Sequence, residues 1–289
     1  MIQTIVDGLQ HGAVMALVAA GFSLVYGVTH VVNLAHGVIV VLGAYLALYL
    51  WQTFGIDPLA TTPIVAVVMF GFGYVFQRTL LQFTMRRANL MATLVVTLGV
   101  AYVLKNLMDL AFSPDPRGMR PDYTNISYDV GGVLIGLLPL IAFGTSVILI
   151  AALELILRKT SLGRSIRAVA QQETGARLCA INVEHVYGLT FAIAAAFAGV
   201  AGVIIGMLFP FNAGTEGHWT IYAFIVVVLG GVGTPVGALV GGLLLGLVST
   251  LTTHYIGAAY PNAMMFLILV LMLFVKPNGL FGHAFGVSR

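Results

Sequence analysis

Few side chains in this 289-residue chain are of a kind to do chemistry, and their spacing excludes most reactions. Lys105, Lys159 and Lys276 all lack the Gly-x-x-x-x-Gly run of a phosphate loop, so the chain is not expected to hydrolyse nucleotide itself. It has no HExxH or GxSxG pattern, and no serine–histidine or paired-carboxylate set is spaced for catalysis. The histidines, at 11, 30, 36, 185, 218, 254 and 283, are scattered. His30 and His36 have no third ligand near them, so no metal site is expected. Cys179 is the single cysteine, which excludes an internal disulfide and a multi-cysteine metal centre. Neither an enzyme nor a cofactor-binding protein is expected.

What remains are polar groups set into apolar surroundings, where they are expensive and therefore candidates for function. Asn33, His36 and Gly37 interrupt one apolar run, and Gly230, Gly231, Gly233, Thr234 and Pro235 interrupt another. Broken hydrophobic segments at corresponding places in two halves of a chain point to a solute path. Irregular backbone is tolerated at membrane depth only where protein buries it or it lines a cavity. These eight residues are the candidate translocation path or gate, and the likeness of the two stretches suggests an internal two-fold repeat. The plainer alternative is a tight helix crossing or a surface loop. Lys105 and Asp109, four apart, are expected to satisfy one another, as are Glu154 and Arg158. Glu216 and His218 fall in a short outer turn, where they meet an external partner or simply water. So few buried charges argue against an ion-driven pump, and transport would need another energy source.

The elements that must position these groups follow from composition. The chain is 60% hydrophobic with mean hydropathy +1.02, and 8% of its residues are charged, against about 25% in soluble domains. That makes it a polytopic, all-α membrane protein solvated mostly by lipid. Its 34 glycines suit closely packed transmembrane helices. A net charge of +3, with no basic run interleaved with aromatics, gives no reason to expect nucleic acid as a partner. A crossing needs about 20 apolar residues. Runs at 9–28, 30–50, 63–84, 90–111, 132–157, 186–209, 219–251 (broken in its middle) and 262–275 give about eight crossings in one domain, 1–289. Whether 30–50 and 219–251 cross fully or contain re-entrant pieces stays open. The start carries Asp7 and no basic n-region, so it reads as a retained first span.

Arg158–His185 stands apart. It holds five of the thirteen Lys and Arg residues between apolar runs, so it is expected in water on the cytoplasmic side. Ile166, Val169 and Ala170 recur on one helical face, as do Ala176, Cys179 and Ala180, and Glu173 is spaced to pair with Arg177. An apolar-faced helical hairpin in such a loop has something to dock; the alternative is a solvated loop that only fixes topology. Arg78, Arg86 and Arg87 place another turn on the same side, Lys276 and Arg289 favour the same side for the C-terminus, and the Asp-rich 112–130 segment lies outside.

With these residues in view, the chain resembles the permease subunits of ABC importers for branched-chain amino acids over nearly its whole length. Four segments carry the resemblance: GFSLVYGVTHVVNLAHGVIVVLGAY (21–45), SLGRSIRAVAQQETGARLCAINV (161–183), FAIAAAFAGVAGVIIGM (191–207), and VVLGGVGTPVGALVGGLLLG (227–246) with KPNGLFG (276–282). The resemblance implies a bacterial inner-membrane permease that pairs with a second, related permease. Two cytoplasmic ATPases would grip the loops, and a periplasmic binding protein would deliver substrate. Gly163, Arg164, Arg167, Ala176, Arg177, Ile181 and Asn182 would form the ATPase-coupling surface, with an apolar helix face seated in a groove of the ATPase. Asn182 would cap the next span, and Glu184 would complement its dipole. Ala180 departs from the family, which usually has glycine there. Urea and short-chain amide importers share the same pattern, so the cargo stays open between these and neutral amino acids. A passive solute channel is the reading of a different class, and it would have no use for the 158–185 hairpin.

Overall fold

The computed structural model describes residues 1–85 and 90–282. Arg86, Arg87, His283 and Arg289, used above for topology and inventory, lie outside them.

The chain begins with α1 (Ile2–Thr29), closed by His30 in the left-handed conformation at φ 54°. An irregular stretch leads to α2 (His36–Phe54), which Gly55 terminates. Asp57 caps α3 (Pro58–Phe76) by accepting from the Leu59 amide at 2.8 Å, and Pro58 supplies the fixed φ of a first helical residue. A π turn over Gln77–Leu81 continues it into α4 (Gln82–Met85), and α5 follows (Leu90–Phe112). The outer segment holds a small antiparallel hairpin, β1 (Ser127–Val130) and β2 (Val133–Gly136), with Ser127 opposite Gly136. Gly131 and Gly132, at φ 65° and 85°, make its two-residue turn. Then come α6 (Leu137–Lys159), α7 (Ser161–Gln171), α8 (Glu173–Leu178), α9 (Val183–Leu208), α10 (Glu216–Gly230), α11 (Pro235–Tyr255) and α12 (Pro261–Val275).

Among the described residues, seven helices are long and apolar enough to cross a membrane: α1, α2, α3 with its continuation, α5, α6, α9 and α11. The difference from the eight crossings expected from hydropathy lies in α12, which is short; the 219–251 run is two helices, of which only α11 has crossing length. At 1.5 Å per residue, the 15-residue α10 and α12 each span about 22 Å, short of a 30 Å core. The 112–130 segment extends past its expected end, because the β-hairpin occupies 127–136 before α6 begins.

α1 and α9 form the core. Nearly every residue of α1 from Gln10 to Thr29 is buried, and α9 is buried along most of its length. α1 packs on α11, α9, α10 and α6, while α2 and α3 pack on α9. The α1–α11 seam requires glycine: a methyl on Gly12 would sit 2.6 Å from the Gly242 carbonyl oxygen. The outer helices present large apolar side chains to the surroundings, such as Val67, Leu110 and Phe274. Such a surface suits lipid or an apolar partner rather than water.

The α7–α8 hairpin and the α10–α11 turn share one end of the bundle, the basic end, where Arg158 and Arg167 line one cavity with Gly233 and Thr234. The 30–35 stretch runs from the end of α1 inward, to where His36 meets Val18 of α1 and Gly37 meets Thr220 of α10. The β-hairpin marks the opposite end, where Arg117 and Phe211 exchange backbone hydrogen bonds of 2.8 Å.

Candidate functional site

Two polar regions carry the candidate residues: the α7–α8 hairpin at the basic end and the two interrupted stretches beside α1, of which the second adjoins the hairpin.

Thr160 caps α7, its hydroxyl accepting from the Gly163 amide at 3.0 Å, and α7 turns away from α6. Ile166, Val169 and Ala170 do not face outward. They are buried against the protein's own α1, α6 and α9. This corrects the expectation of an apolar face offered to a partner's groove: the bundle has open apolar surface beside α7, and covering it stabilises the hairpin. Gly163 and Ala176 are buried as well, so among the seven coupling candidates these two shape the hairpin from inside. Arg164, Arg177 and Asn182 are exposed, and Arg167 and Ile181 are half-buried. The outward apolar residue is one the sequence pattern passes over: Leu178, 85% exposed at the end of α8.

The hairpin tip is held by charge. Arg177 donates to Glu173 at 2.9 Å, the expected pair, and to Glu184 at 3.0 Å. Glu173 and then Glu184 hold the guanidinium above its ordinary pKa. Tyr187 donates to the other oxygen of Glu173 at 3.2 Å. Asn182 caps α9 as expected, accepting from the His185 amide at 3.0 Å. α8 is thus tied to the first turns of α9 by the Glu173–Arg177–Glu184 bridge and the Tyr187–Glu173 hydrogen bond. Glu154 and Arg158 also pair as expected. Lys105 and Asp109 form no ion pair with each other; Lys105 instead lies within electrostatic range of Glu216, the first residue of α10.

All eight path candidates are buried. In the first break, Asn33 accepts from the Ala35 amide at 3.0 Å, His36 bonds through Nε2 to the Val18 carbonyl at 2.9 Å, and the Phe22 ring meets the imidazole edge-on. The Gly37 amide donates to Thr220 of α10 at 3.0 Å. In the second break, the Gly233 amide donates to Ser23 at 3.1 Å, and Thr234 turns its hydroxyl back to the Gly231 carbonyl at 2.8 Å. Both breaks therefore fasten to the same side of the fold, on α1 between Val18 and Ser23, which their separation in sequence conceals. The Leu280 and Phe281 amides donate to the carbonyls of Leu229 and Gly230, closing the end of α10.

A cavity of about 500 Å³ joins the hairpin to the second break. Glu154, Arg158 and Arg167 line it from the hairpin side, and Gly233, Thr234 and Phe281 from the second break. Among the described residues no cluster of three or more metal-ligating side chains occurs.

A many-helix bundle with seven helices of membrane-crossing length among the described residues, carrying an ion-paired amphipathic hairpin at one end, defines a class: a multi-pass membrane protein. Residues 4–275 match the family described as branched-chain amino acid transport system / permease component. The chain is 31% identical to the high-affinity branched-chain amino acid transport system permease protein BraD of Pseudomonas aeruginosa, over 98% of this chain and 96% of the relative. It is 29% identical, over the same shares, to the permease protein LivH of Escherichia coli strain K12. It is 25% identical to LivM of Salmonella typhimurium, a further permease protein of that description, over 91% of this chain and 67% of the relative. No solved structure matches it. The chain belongs to the branched-chain amino acid permease family, and it is a multi-pass inner-membrane protein.

Proposed function

We propose that the chain is the permease subunit of an ATP-driven importer for branched-chain and related neutral amino acids, delivered from outside by a periplasmic binding protein. The observation that carries this reading is the family match from residue 4 to residue 275, with relatives named for that transport. ATP hydrolysis belongs to two separate ATPase subunits at the basic end, which is cytoplasmic by its arginine excess. A second, related permease completes the path; the similarity to both LivH and LivM supports a pair of homologous permeases.

In this reading the ATPase grips the outward face of the hairpin: Arg164, Leu178, Ile181 and Asn182. Gly163 and Ala176 let α7 and α8 seat on the bundle. Movement of α8 passes through Arg177 and Glu184 into α9, and movement of α7 reaches the second break across the cavity that Arg167 lines. Asn33, His36, Gly37 and the Gly230–Pro235 turn form the closed gate that such movement releases.

The test is purification of the complex on a tag carried by this chain. An ATPase subunit and a second permease are expected to copurify. ATP hydrolysis is expected to rise with the binding protein plus leucine and not with urea. Stimulation by urea alone would replace the cargo, and absence of any ATPase from intact complex would overturn the reading.

A further inference from the structure

At the end opposite the hairpin, the first turns of α1, the start of α6, the end of α9 and the last turns of α11 line an open cavity of about 380 Å³. That falls at the small end of the range of small-molecule sites. Its lining is unlike the rest of the interior. Asp7, the only charged residue of α1, stands exposed at its edge. Gln10, one turn deeper on the same face, is 9% exposed, and among the described residues no group hydrogen-bonds its side-chain amide. Ser249 and the His11 ring add two more polar groups, and Leu208 and Phe209 supply an apolar wall. His11 rests edge-on against Phe209, their centroids 5.4 Å apart.

The Gln10 amide has no internal partner among the described residues and opens on the cavity, so whatever fills the cavity, water or a ligand, must satisfy it. The exposed Asp7 carboxylate stands near the N-terminus of α1, the end where the helix dipole favours a negative charge, and it faces the same cavity. Asp7 accepts from the Gln3 amide through one oxygen at 2.8 Å, which leaves its other oxygen available. The lining thus offers a carboxylate acceptor, neutral donors one turn away, and an aliphatic and aromatic wall. That set is complementary to a small zwitterion with an apolar side chain: ammonium on Asp7, carboxylate on Gln10 and Ser249, side chain against Leu208 and Phe209.

We infer that this intrasubunit cavity is a binding site for a free neutral amino acid, separate from the two interrupted stretches. The inference rests on the transport reading above for its choice of ligand. It makes the permease itself selective on the side where substrate arrives. A molecule without an ammonium group gains nothing from Asp7, and one without a side chain leaves the apolar wall uncovered.

The test is equilibrium binding of radiolabelled L-leucine to the full-length chain in lipid nanodiscs, with no binding protein added. Saturable binding is expected, displaced by valine and not by urea or by 4-methylpentanoate, which lacks the ammonium. Asp7→Asn and Gln10→Leu are each expected to weaken it about tenfold, the scale of one lost hydrogen bond to a charged group. Leu208→Ala is expected to shift preference toward larger side chains, a change that a purely structural role would not produce. No leucine binding, equal displacement by 4-methylpentanoate, or unchanged affinity in both polar variants would overturn the site. ATP-driven uptake by the complete wild-type complex is measured in parallel. Uptake without leucine binding to the permease removes this site and leaves the transport reading, whereas binding without uptake removes the transport reading and leaves the site.

Discussion

The α10–α11 turn and the α8–α9 turn lie at the same end of the bundle, and both demand left-handed backbone. The first meets the demand with glycine, Gly231 at φ 106° and Gly233 at φ 76°. The second meets it with Ala180 at φ 59°. The difference is one of space. Gly231 is enclosed: a methyl there would lie 2.7 Å from the Gly282 amide nitrogen and 2.9 Å from the Phe281 carbonyl carbon, both backbone. Ala180 is exposed, so its methyl carries only the torsional cost. This chain therefore carries alanine in the turn that faces water and glycine in the turn that packs.

The sharpest way to break this comparison is Gly231→Ala. Strain and backbone overlap together are expected to cost at least about 3 kcal/mol. The result would be loss of most monodisperse protein after detergent extraction, read by size-exclusion chromatography. Tolerance of that change would mean the packed turn is no tighter than the exposed one. Next in size is Leu178→Glu beside the open turn. Uptake is expected to fall about tenfold, with loss of copurifying ATPase and an unchanged melting temperature, because a charge in a desolvated contact is costly while the same side chain in water is not. Asn182→Ala removes the α9 cap and is expected to cost about 1 kcal/mol in thermal unfolding, with Asn182→Asp restoring it. The smallest effect is a gain. Ala180→Gly is expected to relieve the torsion by about 0.5–1 kcal/mol, less whatever extra freedom it gives the unfolded chain. A loss of stability at Ala180→Gly would show that this methyl packs on something, and the contrast between the turns would fail.

Much of this was legible in the residues. Asn182 as a cap, the Glu173–Arg177 and Glu154–Arg158 pairs, and the interruption near 231–234 follow from local rules of spacing and backbone conformation. What local rules miss is the partner across the fold. Lys105 and Asp109 have the right spacing for a pair, yet Lys105 has Glu216 within range, a choice set by where α10 starts. The apolar stripe of α7 is plain in the sequence, but whether it turns to a partner or to its own bundle depends on open surface on α1, α6 and α9. The fastening of His36 to Val18 and of Gly233 to Ser23 brings together positions up to 210 residues apart. Asp7 was visible as a lone charge in α1, but its cavity needs α6, α9 and α11 in place.

The glycine seam between α1 and α11 has a consequence for how the protein is made. Gly12 and Gly242 meet across it, so this contact waits for roughly 230 further residues, or on the order of 10–50 s at ordinary synthesis rates. For that interval α1 is in the membrane with its smooth face uncovered. Its stay there depends on lipid, the insertion machinery or an early neighbour as a temporary cover, and the seam closes only when the last of the seven membrane-length helices arrives.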